Sequence, residues 1–240
     1  MKKILILFTI VPFVAFSQTD WEEIKPEVFI KAIQEFEESI SLGESYSLET
    51  SYNIFKNYSD DVPVKSFVGK LTCRYGNELN VSQMGFIMVQ DDKLNLTIDT
   101  INQQIIIQHP DSTFFYRKTV SDISSFSEIA EIVYRKETLG KTLFSLELKK
   151  GNPYHAIELE FLGKEMISRI IIYSNQPYST EDYMTETDKA KIVINFTNFK
   201  KGKEVNLKSF KNISDFIIIK DLEFQAIGKY KDFELIDLRN

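Results

Sequence analysis

The stretch Phe144–Tyr173, FSLELKKGNPYHAIELEFLGKEMISRIIIY, decides the fold. Phe144, Leu146 and Leu148 recur at every second position, and Gly151-Asn152-Pro153 then breaks the run. Ile157, Leu159 and Phe161 alternate with Glu158 and Glu160, and Gly163-Lys164 turns the chain into Met166–Tyr173. A period of two that is interrupted by tight turns describes antiparallel strands with one buried and one wet face.

The same period extends outward on both sides. Towards the N-terminus, Leu48, Thr50, Tyr52 and Ile54 alternate with polar residues, as do Phe67, Gly69, Leu71, Cys73 and Tyr75. Tyr75-Gly76-Asn77-Glu78 reads as a hairpin turn. Met84, Phe86 and Met88 form the next inward row, and Leu94, Leu96 and Ile98 make a further strand. Ile105 and Ile107 begin another, ended by His109-Pro110-Asp111. Towards the C-terminus, Asn175–Lys189 is a polar loop. Ile192, Ile194 and Phe196 make a strand, Lys200–Lys203 a solvated basic turn, and Phe210–Leu238 a short helix or extended segment with one final strand.

Two segments carry helical spacing instead. In Pro26–Leu42, Phe29, Ile33, Phe36 and Ile40 share one side, Pro26 suits the first turn and Gly43 the stop. In Asp122–Lys136, DISSFSEIAEIVYRK, Ile123, Phe126, Ile129, Ile132 and Val133 recur at helical spacing before Gly140. The expected fold is therefore mostly β with α: one strongly curved antiparallel sheet or unclosed barrel, its concave face covered by an N-terminal helix and an inserted helix. Two separate sheets divided at Thr119–Gly140 are the alternative.

Residues 1–17 have the form of a secretory signal peptide. Met1-Lys2-Lys3 is positive, Ile4–Phe16 is apolar, and Ala15-Phe16-Ser17 presents small residues to a signal peptidase. The run is too short and wrongly flanked for a membrane span, and no second stretch approaches that length. Residues 18–240 then form one domain, with Gln18 first in the mature chain and periplasmic localisation expected. No cysteine follows the apolar run, so no lipid attachment is expected. Loss of Lys2 and Lys3 moves the formal charge from −6 to −8, which argues against nucleic-acid binding. Cys73 is the sole cysteine, so an internal disulfide is excluded.

Chemistry is sparse. There is no Gly-x-Ser-x-Gly elbow and no phosphate-cradling glycine loop. Cys73 sits in an alternating strand and reads as a small core residue. His109 and His155 have no ligand partner at metal-site spacing, and Asp91-Asp92 lacks the alternating oxygens of a calcium loop. No catalytic residue, metal or cofactor is assigned, and paired carboxylates that meet only in space leave no trace to read. What remains is the aromatic and Met content of the inward rows: either a packed core, or an apolar cavity that Met lets adapt to an acyl chain.

The element order and several local patterns resemble the periplasmic lipoprotein-carrier fold, the LolA/LolB-like superfamily of unclosed antiparallel barrels. A signal peptide without a lipid-attachment cysteine precedes a long helix, Pro26–Leu42. Lys93–Asp99 followed by Gln104–Gln108 is similar to a strand pair of that group. The insertion Asp122–Lys136 falls where the group places its lid helices. Lys191–Phe199, then Val205-Asn206 and Phe210, is similar to its closing pattern. The resemblance implies a non-enzymatic carrier whose apolar interior takes a lipid or the acyl chains of a lipoprotein. It also implies a buried arginine that helps gate the lid. Arg74 points to a polar face; Arg169 is either the inward candidate, in a row with Ile167, Ile171 and Tyr173, or a surface arginine on a strand whose other face, Ser168, Ile170 and Ile172, is buried. The expected ligand-lining residues are Phe67, Leu71, Tyr75, Met84, Phe86, Met88, Leu96 and Arg169. The alternative is an envelope scaffold or adaptor with a filled interior that contacts a partner protein through a sheet edge or the aromatic tail.

Overall fold

The computed structural model describes residues 21–39, 44–74, 78–83, 85–110, 128–164, 166–177, 189–220 and 223–239. Pro26 opens the helix α1 (Pro26–Ser39), where its fixed φ suits the first turn. Before it stands the short strand β1 (Glu22–Ile24). After it come β2 (Tyr46–Phe55), β3 (Lys65–Cys73), β4 (Leu79–Gln83), β5 (Phe86–Gln90), β6 (Asn95–Asp99) and β7 (Gln104–Gln108). A second series follows: β8 (Ala130–Thr138), β9 (Lys141–Leu148), β10 (Tyr154–Leu162), β11 (Met166–Ser174) and β12 (Lys191–Lys201). Short 3₁₀ turns, a hairpin of β13 (Ile217–Lys220) with β14 (Glu223–Ala226), and β15 (Glu234–Asp237) complete the described chain.

Thirteen strands form one sheet in the order β1-β8-β9-β10-β11-β12-β2-β3-β4-β5-β6-β7-β15. The order is linear with β1 and β15 at its edges, so the sheet is curved but not closed. Every pairing in it is antiparallel except that of β15 with β7. The two series meet where β12 pairs with β2, from Lys191↔Phe55 onwards, so no second sheet begins at the 119–140 segment.

Strands from both series send alternate side chains into one cluster around α1. Leu48, Leu71, Leu79, Val133, Phe144, Leu146, Leu159, Phe161, Ile167, Ile170 and Ile194 surround Phe29, Ile33 and Phe36. The helix residues are almost fully enclosed, which is what their shared stripe requires. The opposite face of β5–β7 carries a second core. Val89, Leu96, Ile98, Ile105 and Ile107 pack there under Phe216, Ile217 and Tyr230 of the C-terminal segment. Asn80 fastens that segment to β4, its amide donating to the Lys211 carbonyl at 2.9 Å and its oxygen accepting from the Lys211 N–H.

Two expectations are corrected. Of the segment read as an inserted helix, Ala130 onwards is the strand β8; Glu128 and Ile129 before it are helical, and residues 122–127 lie outside the described residues. β8 pairs with β9 over Ala130↔Leu148 to Thr138↔Lys141 and with β1 over Glu22↔Arg135 to Ile24↔Val133. Ile132 and Val133 are β-branched, and two pairing partners outweigh a local helical spacing. Of the row Met84-Phe86-Met88, Phe86 and Met88 share β5, and Met84 lies outside the described residues. A turn at Gly85, with φ +83, separates β4 from β5, and Phe86 begins the new strand 42% exposed.

Candidate functional site

A cleft of about 490 Å³ lies between α1 and the neighbouring ends of β8–β10. Helical spacing puts Val28, Ala32 and Glu35 on one stripe, with Lys31 beside it. That stripe runs along the edge of the one that enters the core. The sheet wall follows from register. Arg135 lies opposite Phe144, Glu137 opposite Thr142, and Thr142 in turn opposite Phe161. Alternation therefore points Arg135, Glu137, Thr142, Phe144 and Phe161 to the α1 side. Gly163 and Lys164, from the β10–β11 turn, close one end.

The floor is aromatic and continuous with the core. Phe29 meets Phe144 edge-on at 5.4 Å between centroids, Phe144 meets Phe161 at 5.6 Å, and Phe36 meets Phe161 at 6.3 Å. Such edge-to-face pairs fix ring positions as well as burying area.

The rim is charged. Lys164 Nζ lies 3.0 Å from Glu35 and Lys31 Nζ 3.9 Å from it. The Lys164 hydrogen bond and charge hold the Glu35 carboxyl below its ordinary range. Ser39 Oγ donates to the carbonyls of Phe36 and Lys164, and Lys201 Nζ donates to the Ser39 carbonyl at 3.0 Å. These contacts tie the end of α1 to the β10–β11 turn and to β12. Arg135 pairs with Glu137 through Nη2, while its Nε is buried with no hydrogen-bond partner among the described residues.

Of the residues expected to line a ligand site, the described ones are not among those that line this cleft. Leu71 is buried in the α1 cluster and Met88 packs against it. Phe67 is half-buried opposite Tyr52, and Phe86 is exposed at a turn. Leu96 is fully buried, but in the second core on the opposite face. Tyr75 and Met84 lie outside the described residues. Arg169 does not share a row with Ile167: the extra residue Ser168 in β11 breaks the alternation, so Ile167 and Ile170 enter the core and Arg169 turns away from it.

On that outer face Arg169 lies 3.0 Å from Glu160, which also accepts from Lys141 Nζ at 2.8 Å and Ser168 Oγ at 2.7 Å. Burial pushes the Glu160 carboxyl up. The Lys141 and Ser168 hydrogen bonds and the Arg169 and Lys141 charges outweigh that and leave it below its ordinary value.

The arginine on the α1 side is Arg135, inside the segment read as a helix. Its signal was the alternation Val133-x-Arg135-x-Glu137 before the Leu139-Gly140 turn. Among the described residues no group of three or more His, Cys, Asp and Glu side chains is placed to hold a metal ion. No described helix is long and apolar enough to cross a membrane.

No protein-family model matches the chain, and no curated protein matches it. Solved structures similar to it include a conserved protein from Thermus thermophilus, at 10% identity and TM-score 0.47 over 88% of this chain and 99% of that one. LprF from Mycobacterium bovis matches at 10% identity and TM-score 0.35, over 76% of this chain and 97% of that one. A domain described as an outer membrane lipoprotein-sorting protein, from Vibrio parahaemolyticus, matches at 11% identity and TM-score 0.29, over 78% and 97%.

Proposed function

We propose that residues 18–240 form one exported, non-enzymatic domain of the cell envelope that holds an acyl chain of a lipid or acylated protein in the cleft beside α1. The observation that carries this reading is the cleft's construction. Val28, Ala32, Phe144 and Phe161 give it an apolar lining, its volume is that of a small-ligand pocket, and its mouth is polar. Burial of a chain there stabilises the complex by about 0.8 kcal/mol per methylene. The signal-peptide form of residues 1–17 and the resemblance to the lipoprotein carriers support the same reading.

A second reading is an adaptor that binds a partner protein. It is favoured by the density with which Phe29, Ile33 and Phe36 fill the described interior, and by the exposed Ile218 and Ile219 of β13.

The cleft reading predicts uptake of the neutral fluorophore N-phenylnaphthylamine, detected as enhanced, blue-shifted emission. Ala32→Trp, which fills the cleft from the helix side, removes that signal while the far-ultraviolet circular dichroism stays unchanged. Equal uptake by both proteins, or none by the unaltered one, rejects the cleft and favours the adaptor.

A further inference from the structure

Arg135 is a cation set beside an aromatic floor. Its Cα lies opposite Phe144 in the sheet, two residues along β8 from the fully enclosed Val133. Arg135 is among the residues that line the cleft. An arginine in such a place normally has its N–H groups satisfied, because a buried donor without an acceptor costs stability. Here Nη2 meets Glu137, while Nε is buried without a partner among the described residues.

The carboxylate that Nη2 meets is on a side chain 59% exposed to solvent, so its release into water costs little. The surrounding charges lean the same way. Of the cleft's described side chains, Lys31, Lys164 and Arg135 face Glu35 and Glu137, and the amine of Lys141 is turned away to Glu160. Among the lining side chains three cations thus meet two carboxylates, and Glu22 of β1 lies opposite Arg135 in register.

We propose that the cleft recognises an anionic end of its ligand, a carboxylate or a phosphate, through the terminal nitrogens of the Arg135 guanidinium, with Glu137 as the internal acid that this anion displaces. The inference rests on the acyl-chain reading of the cleft and adds the chemistry of the head group. The planar edge of a guanidinium offers two parallel N–H donors, which match the two oxygens of either anion and do not match a hydroxyl. The apolar floor takes the chain and Arg135 takes the charge beside it. Glu137 holds the edge while the cleft is empty.

The test compares three probes of equal chain length, laurate, dodecyl phosphate and dodecanol, by equilibrium dialysis against the full chain at neutral pH. The unaltered protein is expected to bind at least one anion roughly ten-fold or more tightly than dodecanol, a ratio that one well-placed charge-assisted contact supplies. A preference for laurate assigns the site to carboxylates, and a preference for dodecyl phosphate to phospholipid-like head groups. Arg135→Gln should bring the anion-to-alcohol ratio close to one. Arg135→Lys, which keeps the charge and loses the paired edge, should lower it in part. Glu137→Gln should raise it by removing the competing acid. Thermal melts establish that each variant is folded. A ratio near one in the unaltered protein, or a ratio that neither Arg135 variant changes, overturns the inference and leaves the acyl-chain cleft standing. Failure of all three probes to bind rejects the cleft itself, and the inference with it.

Discussion

Phe144 and Phe86 are the same residue type in the same sheet and differ in what surrounds them. Phe144 is 2% exposed and touches Phe29 and Phe161, whereas Phe86 is 42% exposed beside a turn. Phe144→Ala should cost about 3–5 kcal/mol, from lost transfer energy plus the cavity left behind, and Phe86→Ala within about 1 kcal/mol. Denaturant unfolding of both variants checks this, and equal costs would contradict the assigned strand break at Gly85. Glu160 offers a second test, in its pH dependence. Its carboxyl is held below its ordinary value of 4.5 in the folded chain. The stabilisation is therefore complete above the usual carboxylate range and is lost as pH falls through the lowered value. Glu160→Gln should cost about 1 kcal/mol at about pH 7, because its partners are partly solvated. The gap to the unaltered protein should narrow as pH falls below the usual carboxylate range, measured by urea unfolding. A gap as wide at acid pH as at neutral pH would show that Glu160 acts by shape and not by charge. Cys73 is a core residue of the same sheet: burial pushes its thiol up to about 12, so it carries no thiolate chemistry at neutral pH.

At the scale of the element, α1 separates what packs in the core from what borders the cleft. Its Phe29-Ile33-Phe36 stripe is enclosed, while Val28, Ala32 and Glu35 on the adjoining stripe border the cleft. Ligand in the cleft should therefore slow amide hydrogen exchange in α1 and at the ends of β8–β10, and leave β5–β7 on the second core unchanged. Uniform slowing, or none, would contradict a site at this edge of the helix. The elements were legible in the sequence where their cause is local. The two-residue period of Phe144–Tyr173 reappears as β9–β11, and the stripe read over Pro26–Leu42 reappears in α1, described over Pro26–Ser39. β8 was not legible, because Ile132 and Val133 fit a helix until β1 and β9 are there to pair with. The face that Leu96 uses was also hidden. β6 is covered on that side by Phe216 and Tyr230, more than a hundred positions away in the chain, and alternation alone does not say which face such a strand turns to which core. The cleft was the least legible part. Its lining joins Val28 and Ala32 to Arg135, Phe144, Phe161 and Lys164, residues that no motif links and only the β8–β10 pairings bring together.

At the scale of the molecule, one curved, unclosed sheet carries two cores on opposite faces, and the C-terminal segment reserves one of them for itself. The α1 face is left as the side on which a ligand can enter at the edge of a packed interior without disturbing the rest of the sheet. The negative net charge of the chain makes the positive surplus of the cleft a local feature, so recognition is placed in Arg135 and its apolar floor rather than in the overall field. The most direct measurement is native mass spectrometry of the protein purified from a membrane-containing host under gentle conditions. The expected spectrum is of a chain that begins at Gln18 and carries one acyl-bearing molecule, lost on Ala32→Trp. A ligand-free spectrum from a host rich in lipid, with no adduct after added laurate or dodecyl phosphate, would contradict it.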